Sequence, residues 1–557
     1  MREEIKNIIN NFDVEYVEDY KSWVKAKLKN KEDLIPLVKK LKEVGVKSCS
    51  TVSPTDFIDE GRIEVNYFLE SLSPKISSKE KEKVNVWLKV DLDRDLENCE
   101  IDSITPIMPS ANYHELEAYS TFGVKFKGHP NLRFFLISRD YYGKFPFRKD
   151  FDWKAHEKHL IENVNAITEE FLEEFEEHEK SVGHAGSRTV LHWGPTHPAS
   201  GPIRLKVFTN GENIEKVEPD IGYVWRALEN LSERKDFIGT IVAVERICFM
   251  DNPNPMICYS QAVEEIAGKE ITEFAKYMRV ILGEIGRIVS HLISMGNFFG
   301  TMGLQTFLMW CLDVREYFLD VLEDYSGARI ATACIEPGGV RYPLNDYKAW
   351  FSEIQKAIEK WEKTKPDIED IFLKNPLMTV RAKNTGVFSL EDVEEYFLTG
   401  PVARASGAKI DVRIDEPYAA YDKLEIDYVT CENGDARDRL YIIYKEINQS
   451  IDLIKQAMKK IKEGIEAGEM DPKKDHLVKM PRRMPEGEAV SRIEWARGEI
   501  LMHLVTMPKS TSPYRLKIKA PSVNHTMMLE KLLPGHTLSD IPLLYGSMHI
   551  CQGDLDR

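Results

Sequence analysis

In a chain of 557 residues there is no Cys-x-x-Cys pair. The eight cysteines stand apart, at positions 49, 99, 248, 258, 311, 334, 431 and 551. An iron–sulfur cluster or structural zinc held by one chain needs about four clustered soft ligands, so none is expected here. A disulfide framework is equally unexpected in a long chain with scattered thiols. Most of these cysteines read as small buried hydrophobes. No apolar run reaches the roughly eighteen residues of a helical membrane span. Positive charge is short, with 75 Lys and Arg against 91 Asp and Glu and a net charge of -16, which argues against nucleic acid as a partner. The opening MREEIKNIINNFDVEYVEDY lacks the apolar core of a secretory signal, so the expected compartment is the cytoplasm. Internal repeats and low-complexity tracts are missing too.

What is present is a globular mix, 43% hydrophobic and 30% charged, in a chain too long for one core. Residues 1–150 read as a small α/β domain. DLIPLVKKLKEVGV has helical spacing and ends on glycine, while RIEVNYFLESL and KVNVWLKVDL alternate as half-buried strands do. Residues 151–184 are a Glu-rich connector. Residues 185–557 open with strand runs around an Asn-Gly turn and become mainly helical. The longest pattern, EITEFAKYMRVILGEIGRIVSHLISMGNFF, is apolar almost all round and predicts a buried bundle helix. The expected class is α+β: a small N-terminal α/β domain joined to a mainly helical bundle domain with a small sheet.

Two short stretches carry the chemistry. In ERICFMD, Cys248 is followed three places later by Asp251; in the terminal HICQGDLDR, Cys551 is followed by Asp554. Each is half of a Cys-x-x-Cys clamp. Around them run GPTHPASGPIRL, IGYVWRALENL, RVILGEIGRIVSHLISMG, EPGGVR, TGPVARASGAKIDVR with EPYAAYD, and RLKIKAPSVNHTMMLEKLLPGHTLSDIPLLYGSM. These resemble the large-subunit fold shared by respiratory complex I and membrane-bound [NiFe] hydrogenases. Upstream, ELEAYSTFGVKFKGHPNLRFFL and FPFRKDF resemble the small hydrophilic subunit beside it, so the chain looks like a fusion of the two.

The resemblance implies a hydrogenase large-subunit-like fold, but the superfamily runs several chemistries on it and the site residues must decide. Hydrogenases hold nickel and iron with two Cys-x-x-Cys pairs. Here each second cysteine is an aspartate, and nickel thiolate chemistry wants soft ligands. In complex I the cavity takes a quinone headgroup, using the second histidine of a loop and a tyrosine. Here that loop keeps only its first histidine, His197, and Phe237 stands at the tyrosine position. The pattern is most similar to a third branch, the membrane-bound, ferredoxin-dependent sulfane sulfur reductases, whose nickel site is altered. That likeness implies electron transfer to polysulfide, coupled to ion translocation. It also implies no cofactor in this chain, with iron–sulfur clusters held by partners. The implied partners are a cluster-carrying small subunit, a ferredoxin-like cluster subunit and membrane-arm subunits, with ferredoxin as donor. The chain would then sit at the cytoplasmic face of the membrane. Quinone reduction, hydrogen activation and a non-catalytic coupling scaffold stay open as alternatives.

The candidate catalytic residues are Cys248, Cys551, Asp251, Asp554 and Arg246, with no metal. A thiolate attacks sulfane sulfur by the substitution that drives thiol–disulfide exchange. Arg246, two places before Cys248, is expected to lower the thiol pKa and hold an anionic substrate. The aspartates are expected to relay protons. By resemblance His197, Arg226 and Glu229 line the substrate cavity. The plain alternatives are a loop-fixing hydrogen bond for His197 and a local i, i+3 ion pair for Arg226 and Glu229. Glu284, Arg287 and His291 share a face of the apolar helix and read as a paired structural network. The aromatics of GHPNLRFFL and FPFRKDF read either as a subunit interface or as filling for the small domain.

Overall fold

The computed structural model describes residues 2–71, 84–163, 188–197 and 201–557. The mixed class read from the sequence is the one the chain adopts. A five-stranded mixed sheet comes first, in the order Val14–Tyr20, Trp23–Leu28, Asn85–Asp93, Arg62–Glu70, Ser48–Phe57. Helices Arg2–Ile9 and Leu34–Glu43 pack Ile5, Ile9, Leu37 and Leu41 into a core with Val65, Leu88 and Phe122.

Alternation predicts half-buried strands, yet Arg62–Glu70 is buried along nearly its whole length. The reason is that its second face meets the other half of the molecule. Trp23, Phe68 and Trp87 pack there on Val490 and Leu501. The polar residues of that face are paired too: Lys89 meets Glu64 of its own sheet at 2.8 Å and Glu488 across the seam at 2.7 Å. The His503 ring bonds Ser53 at 3.0 Å and Glu488 at 2.8 Å.

The expected connector begins as helix from 153 to 163, and the rest of it lies outside the described residues. A three-stranded sheet follows, Arg188–Trp193, Arg204–Asn210 and Asn213–Asp220, with the Asn-Gly signal realised as a tight turn in which Gly211 takes φ 63°. The helical body is built on Glu273–Thr301, which packs against Gln305–Ser326 and Ala436–Glu466, with Tyr347–Lys374 outside. Its N-cap Thr272 accepts a hydrogen bond from the Ala275 amide, which starts the helix cleanly.

One further sheet, Gly487–Trp495, Gly498–Thr506 and Arg515–Lys519, antiparallel in that order, joins the strand expected in YRLKIK to a hairpin that goes beyond the sequence-based expectations. Its first two strands are joined by the tight Ala496–Arg497 turn, with Gly498 at φ 127°. The chain then enters helix Pro521–Leu532 and ends through the short helices Ile541–Ser547 and Gln552–Leu555. No helix among the described residues is long and apolar enough to cross a membrane.

The aromatics of residues 134–153 pack on one another and on the seam, with Tyr142 left exposed. Phe134 stacks on Tyr142, and Phe147 and Trp153 stack on Trp225 of the other half. They fill the small domain and its seam.

Candidate functional site

The two half-clamps meet. Cys248 and Cys551 lie with their sulfurs 3.2 Å apart, sharing one hydrogen bond. Both are buried, Cys248 at 0% exposed and Cys551 at 5%. Cys248 follows the short helix Ile241–Val244, and Cys551 caps the helix Gln552–Leu555. The close approach needs Gly553: a Cβ there would stand 2.7 Å from the Ile247 carbonyl oxygen and 3.7 Å from the Cys551 sulfur. Arg226 clamps the two motifs from outside, donating to the Arg246 carbonyl at 2.7 Å and to the Gly553 carbonyl at 2.8 Å.

The two sulfurs are not equivalent. The hydrogen bond between the sulfurs runs from Cys551 to Cys248 when both are thiols. With Cys551 ionised it runs the other way, and that bond, Arg497 nearby and the amides of Asp554 and Gly553 hold Cys551 below the usual thiol range. Burial, and then the bond to Cys551, push Cys248 well above that range. The pair is therefore one thiolate and one thiol, with the charge on Cys551.

The cation facing them is Arg497, not Arg246. Arg246 points outward, its side chain half exposed, and its guanidinium bonds the Val242 carbonyl and Glu245. Residue 246 is near the cysteine in sequence but its guanidinium is not near it in space, because the chain turns between them. Arg497 comes instead from the turn of the unforeseen hairpin. It donates to Ser290 Oγ at 3.0 Å and Met250 Sδ at 3.3 Å, and its Nε lies 3.9 Å from Asp554. Cys248, Cys551, Asp554 and Asp251 together raise its pKa. The sequence does carry a signal for this hairpin: two strand-like runs, VSRIEW and GEILMHLV, separated by two residues.

Both aspartates are fully buried. Asn254 Nδ2 donates to both oxygens of Asp251, at 2.8 and 3.0 Å, and Trp495 donates to its carbonyl. Space for the carboxylate comes from Gly286 of the long helix, where a Cβ would stand 2.5 Å from Asp251 Oδ1. Burial pushes the Asp251 carboxyl up to about 6, against Arg287, Asn254 and Arg497. Asp554 has no such pair of amide donors. Burial, then the negative Cys551, push its carboxyl well above the usual range, which favours its protonated form.

The three residues read as cavity-lining are placed differently. His197 packs its ring on Trp193 at 4.7 Å, Trp193 packs on Tyr545 at 5.1 Å, and Tyr545 accepts from Gln552 beside Cys551. Arg226 holds the motifs together, as above. It forms no local pair with Glu229, because Ala227 between them takes φ 50° and the helix starts only at Leu228. Glu229 turns away from the sulfurs into the seam. It accepts from Arg515 at 2.7 Å, Lys517 at 3.2 Å and the Ile518 amide at 3.1 Å. Burial works against its charge, but Lys517 and Arg515 outweigh it and hold the carboxyl below its usual range. Glu229 is thus a fixed ion-pair member, which does not suit proton traffic.

Glu284, Arg287 and His291 join a buried polar network. Glu284 meets Arg287 at 3.1 Å, Arg413 at 3.2 Å, Tyr421 at 2.5 Å and Ser450 at 2.6 Å. His291 bonds Glu446 at 2.9 Å, and Arg404 bridges Glu446 and Glu494. Between this network and the sulfurs stands His549, buried, with no hydrogen-bond partner among the described residues on either ring nitrogen and its ring 5.5 Å from that of His291. Burial, then the neighbouring His291 and Arg497, keep it neutral.

Known proteins share this architecture. The respiratory-chain NADH dehydrogenase 49 kDa subunit matches residues 301–557, and the 30 kDa subunit of the same enzyme matches residues 28–157. The C/D subunit of NADH-quinone oxidoreductase from Bdellovibrio bacteriovorus is 30% identical over 89% of this chain and 88% of its own. The D 2 subunit of NADH-quinone oxidoreductase from Symbiobacterium thermophilum is 33% identical over 66% of this chain and 98% of its own. Among solved structures, a chain of the membrane-bound sulfane sulfur reductase, an archaeal respiratory membrane complex, superposes with a TM-score of 0.63 at 27% identity, covering 67% of this chain and all of that one.

Proposed function

We propose, from the premise that this chain belongs to the family of the respiratory-chain NADH dehydrogenase 49 kDa subunit, here fused behind its 30 kDa partner, that its site reduces sulfane sulfur. In this reading the chain is the catalytic-cavity subunit of a membrane-bound oxidoreductase. Electrons come from ferredoxin through iron–sulfur clusters of a small subunit and a ferredoxin-like subunit. They pass to polysulfide, and the membrane arm couples the reaction to ion translocation. The observation that carries the reading is the Cys248–Cys551 contact at 3.2 Å with Arg497 as its cation.

The chemistry follows from the groups present. A buried thiolate with a guanidinium beside it suits a soft, anionic, electrophilic substrate. Asp554, adjacent and with its carboxyl pushed toward the protonated form, is the donor for the proton that each reduction consumes, and Asp251 also lies within the field of Arg497. Exposed Arg226, Arg246, Val242 and Phe249 form the surface over the pair. That mixed cationic and apolar surface is where a cluster-carrying partner docks in this reading.

The sulfur spacing weighs against a tetrahedral ion. Two thiolates each about 2.3 Å from one metal stand roughly 3.8 Å apart, against 3.2 Å here. Among the described residues no three Cys, His, Asp or Glu side chains converge to hold an ion.

The names of the sequence relatives favour a second reading, quinone reduction. Phe237 weighs against it, being buried and without a hydroxyl to offer a quinone carbonyl. Assay of the purified complex with a low-potential donor, offered polysulfide, a short-chain quinone or protons in turn, separates these readings. Sulfide release without quinol or hydrogen formation is expected; quinol formation alone overturns the proposal.

A further inference from the structure

The asymmetry of the two sulfurs carries a division of labour. Cys551 is the more accessible, at 5% exposed against 0% for Cys248, and two backbone amides point at it. Cys248 lies behind it at 3.2 Å, which leaves about 1.2 Å to close to a sulfur–sulfur bond. Among the described residues no other cysteine hydrogen-bonds either sulfur. We propose that Cys551 is the attacking thiol and Cys248 the resolving thiol, and that each turnover passes through a Cys248–Cys551 disulfide. This rests on the sulfane-sulfur reading above and deepens it.

The steps balance. The Cys551 thiolate attacks the terminal sulfur of a polysulfide dianion. A bond forms between Cys551 and that sulfur, the next sulfur–sulfur bond breaks, and a polysulfide one sulfur shorter leaves as a dianion. Cys551 now carries a persulfide anion. Cys248 then attacks the Cys551 sulfur, its thiol proton goes to the departing sulfur, and hydrosulfide leaves. The cysteines have been oxidised to the disulfide and the sulfane sulfur reduced to sulfide. Two electrons from a low-potential one-electron donor, with one proton from Asp554, restore the Cys551 thiolate and the Cys248 thiol. In sum, one polysulfide, two electrons and one proton give the shortened polysulfide and one hydrosulfide. Attack from Cys248 first is disfavoured by its burial and by the proton it holds.

The test uses the purified, reduced complex with its electron donor removed. It is given polysulfide, quenched in acid, alkylated and mapped by mass spectrometry. The wild type is expected to release one hydrosulfide per chain and to show peptides joined through Cys248 and Cys551. Cys248→Ser is expected to stop one step earlier, with an extra sulfur on Cys551 and no hydrosulfide. Cys551→Ser is expected to show neither product. Extra sulfur accumulating on wild-type Cys551, with no joined peptides, overturns the resolving step while leaving the sulfane-sulfur reading standing. Extra sulfur on Cys248 in the Cys551→Ser protein overturns the order. If no protein shows added sulfur or joined peptides, this inference fails; sulfide released under a donor in that case leaves the sulfane-sulfur reading standing, and no sulfide release overturns that reading too. Assembly of each variant into the complex, checked by gel filtration, separates these outcomes from misfolding.

Discussion

Gly553 decides how close the two motifs come. A single methyl there meets a backbone oxygen, not a flexible side-chain end, so the chain must shift. Gly553→Ala is expected to cost about 1–3 kcal/mol of stability, the range of a small overpacking. It should also cut polysulfide turnover well beyond that cost, since the sulfurs separate. Thermal melts and turnover on the same preparation check this. Asp251 carries the pH dependence. Its carboxyl, raised to about 6 by burial, loses its proton as pH rises through that value. The turnover profile should bend near pH 6, and Asp251→Asn should remove the bend while slowing the rate by up to about 10². At this scale the sequence is partly legible. Cys248, Cys551 and their aspartates stand out because matching broken clamps signal a shared pocket. Arg246 misleads because two residues of sequence separation in a turn do not fix direction. His549 gives no signal, since its isolation is a property of packing.

The hairpin of Gly487–Trp495 and Gly498–Thr506 is the element that joins the site to its support. Its turn delivers Arg497 to the sulfurs, Trp495 holds the Asp251 backbone, and Glu494 enters the arginine–carboxylate network. Arg497→Met is expected to raise the pH midpoint for alkylation of Cys551 by roughly one to three units, the effect of removing an opposite charge. A small alkylating reagent and peptide mapping measure it; an unchanged midpoint would show that Arg497 does not support the thiolate. On the network side, Arg413→Met leaves Glu284 and Asp411 buried with one fewer cation. The expected loss is about 3–5 kcal/mol, read from denaturant unfolding. The buried helix Glu273–Thr301 is readable from its apolar periodicity. The hairpin is readable too, but only through its two-residue turn, which lies in a segment without apolar runs long enough to draw notice.

Across the whole molecule, the two halves are bound by a buried charge seam. Glu117 of the first half meets Lys517 at 2.5 Å and Arg557 at 2.8 Å, and Glu229 shares the same cations. Burial opposes both carboxylates, but the cations hold them below their usual range. Stability from such groups is present above the unfolded-state value of about 4.3 and is lost as pH falls through the lower folded values. Melting temperature should therefore drop in acid, and Glu229→Gln should flatten that drop. The sequence shows that the chain has two parts but not how they dock, because the docking face mixes a few apolar side chains with many polar ones on strands that read as solvent-facing. The central claim is that the paired cysteines act on sulfur. Its most direct test is the rate of sulfide release from polysulfide by the intact complex under a low-potential donor, for the wild type against Cys551→Ala and Cys248→Ala. Loss of at least about two orders of magnitude in both, with assembly intact, is the predicted result, on the scale of removing a covalent nucleophile. Full activity in both variants would contradict it and move the reduction of the substrate away from the two cysteines.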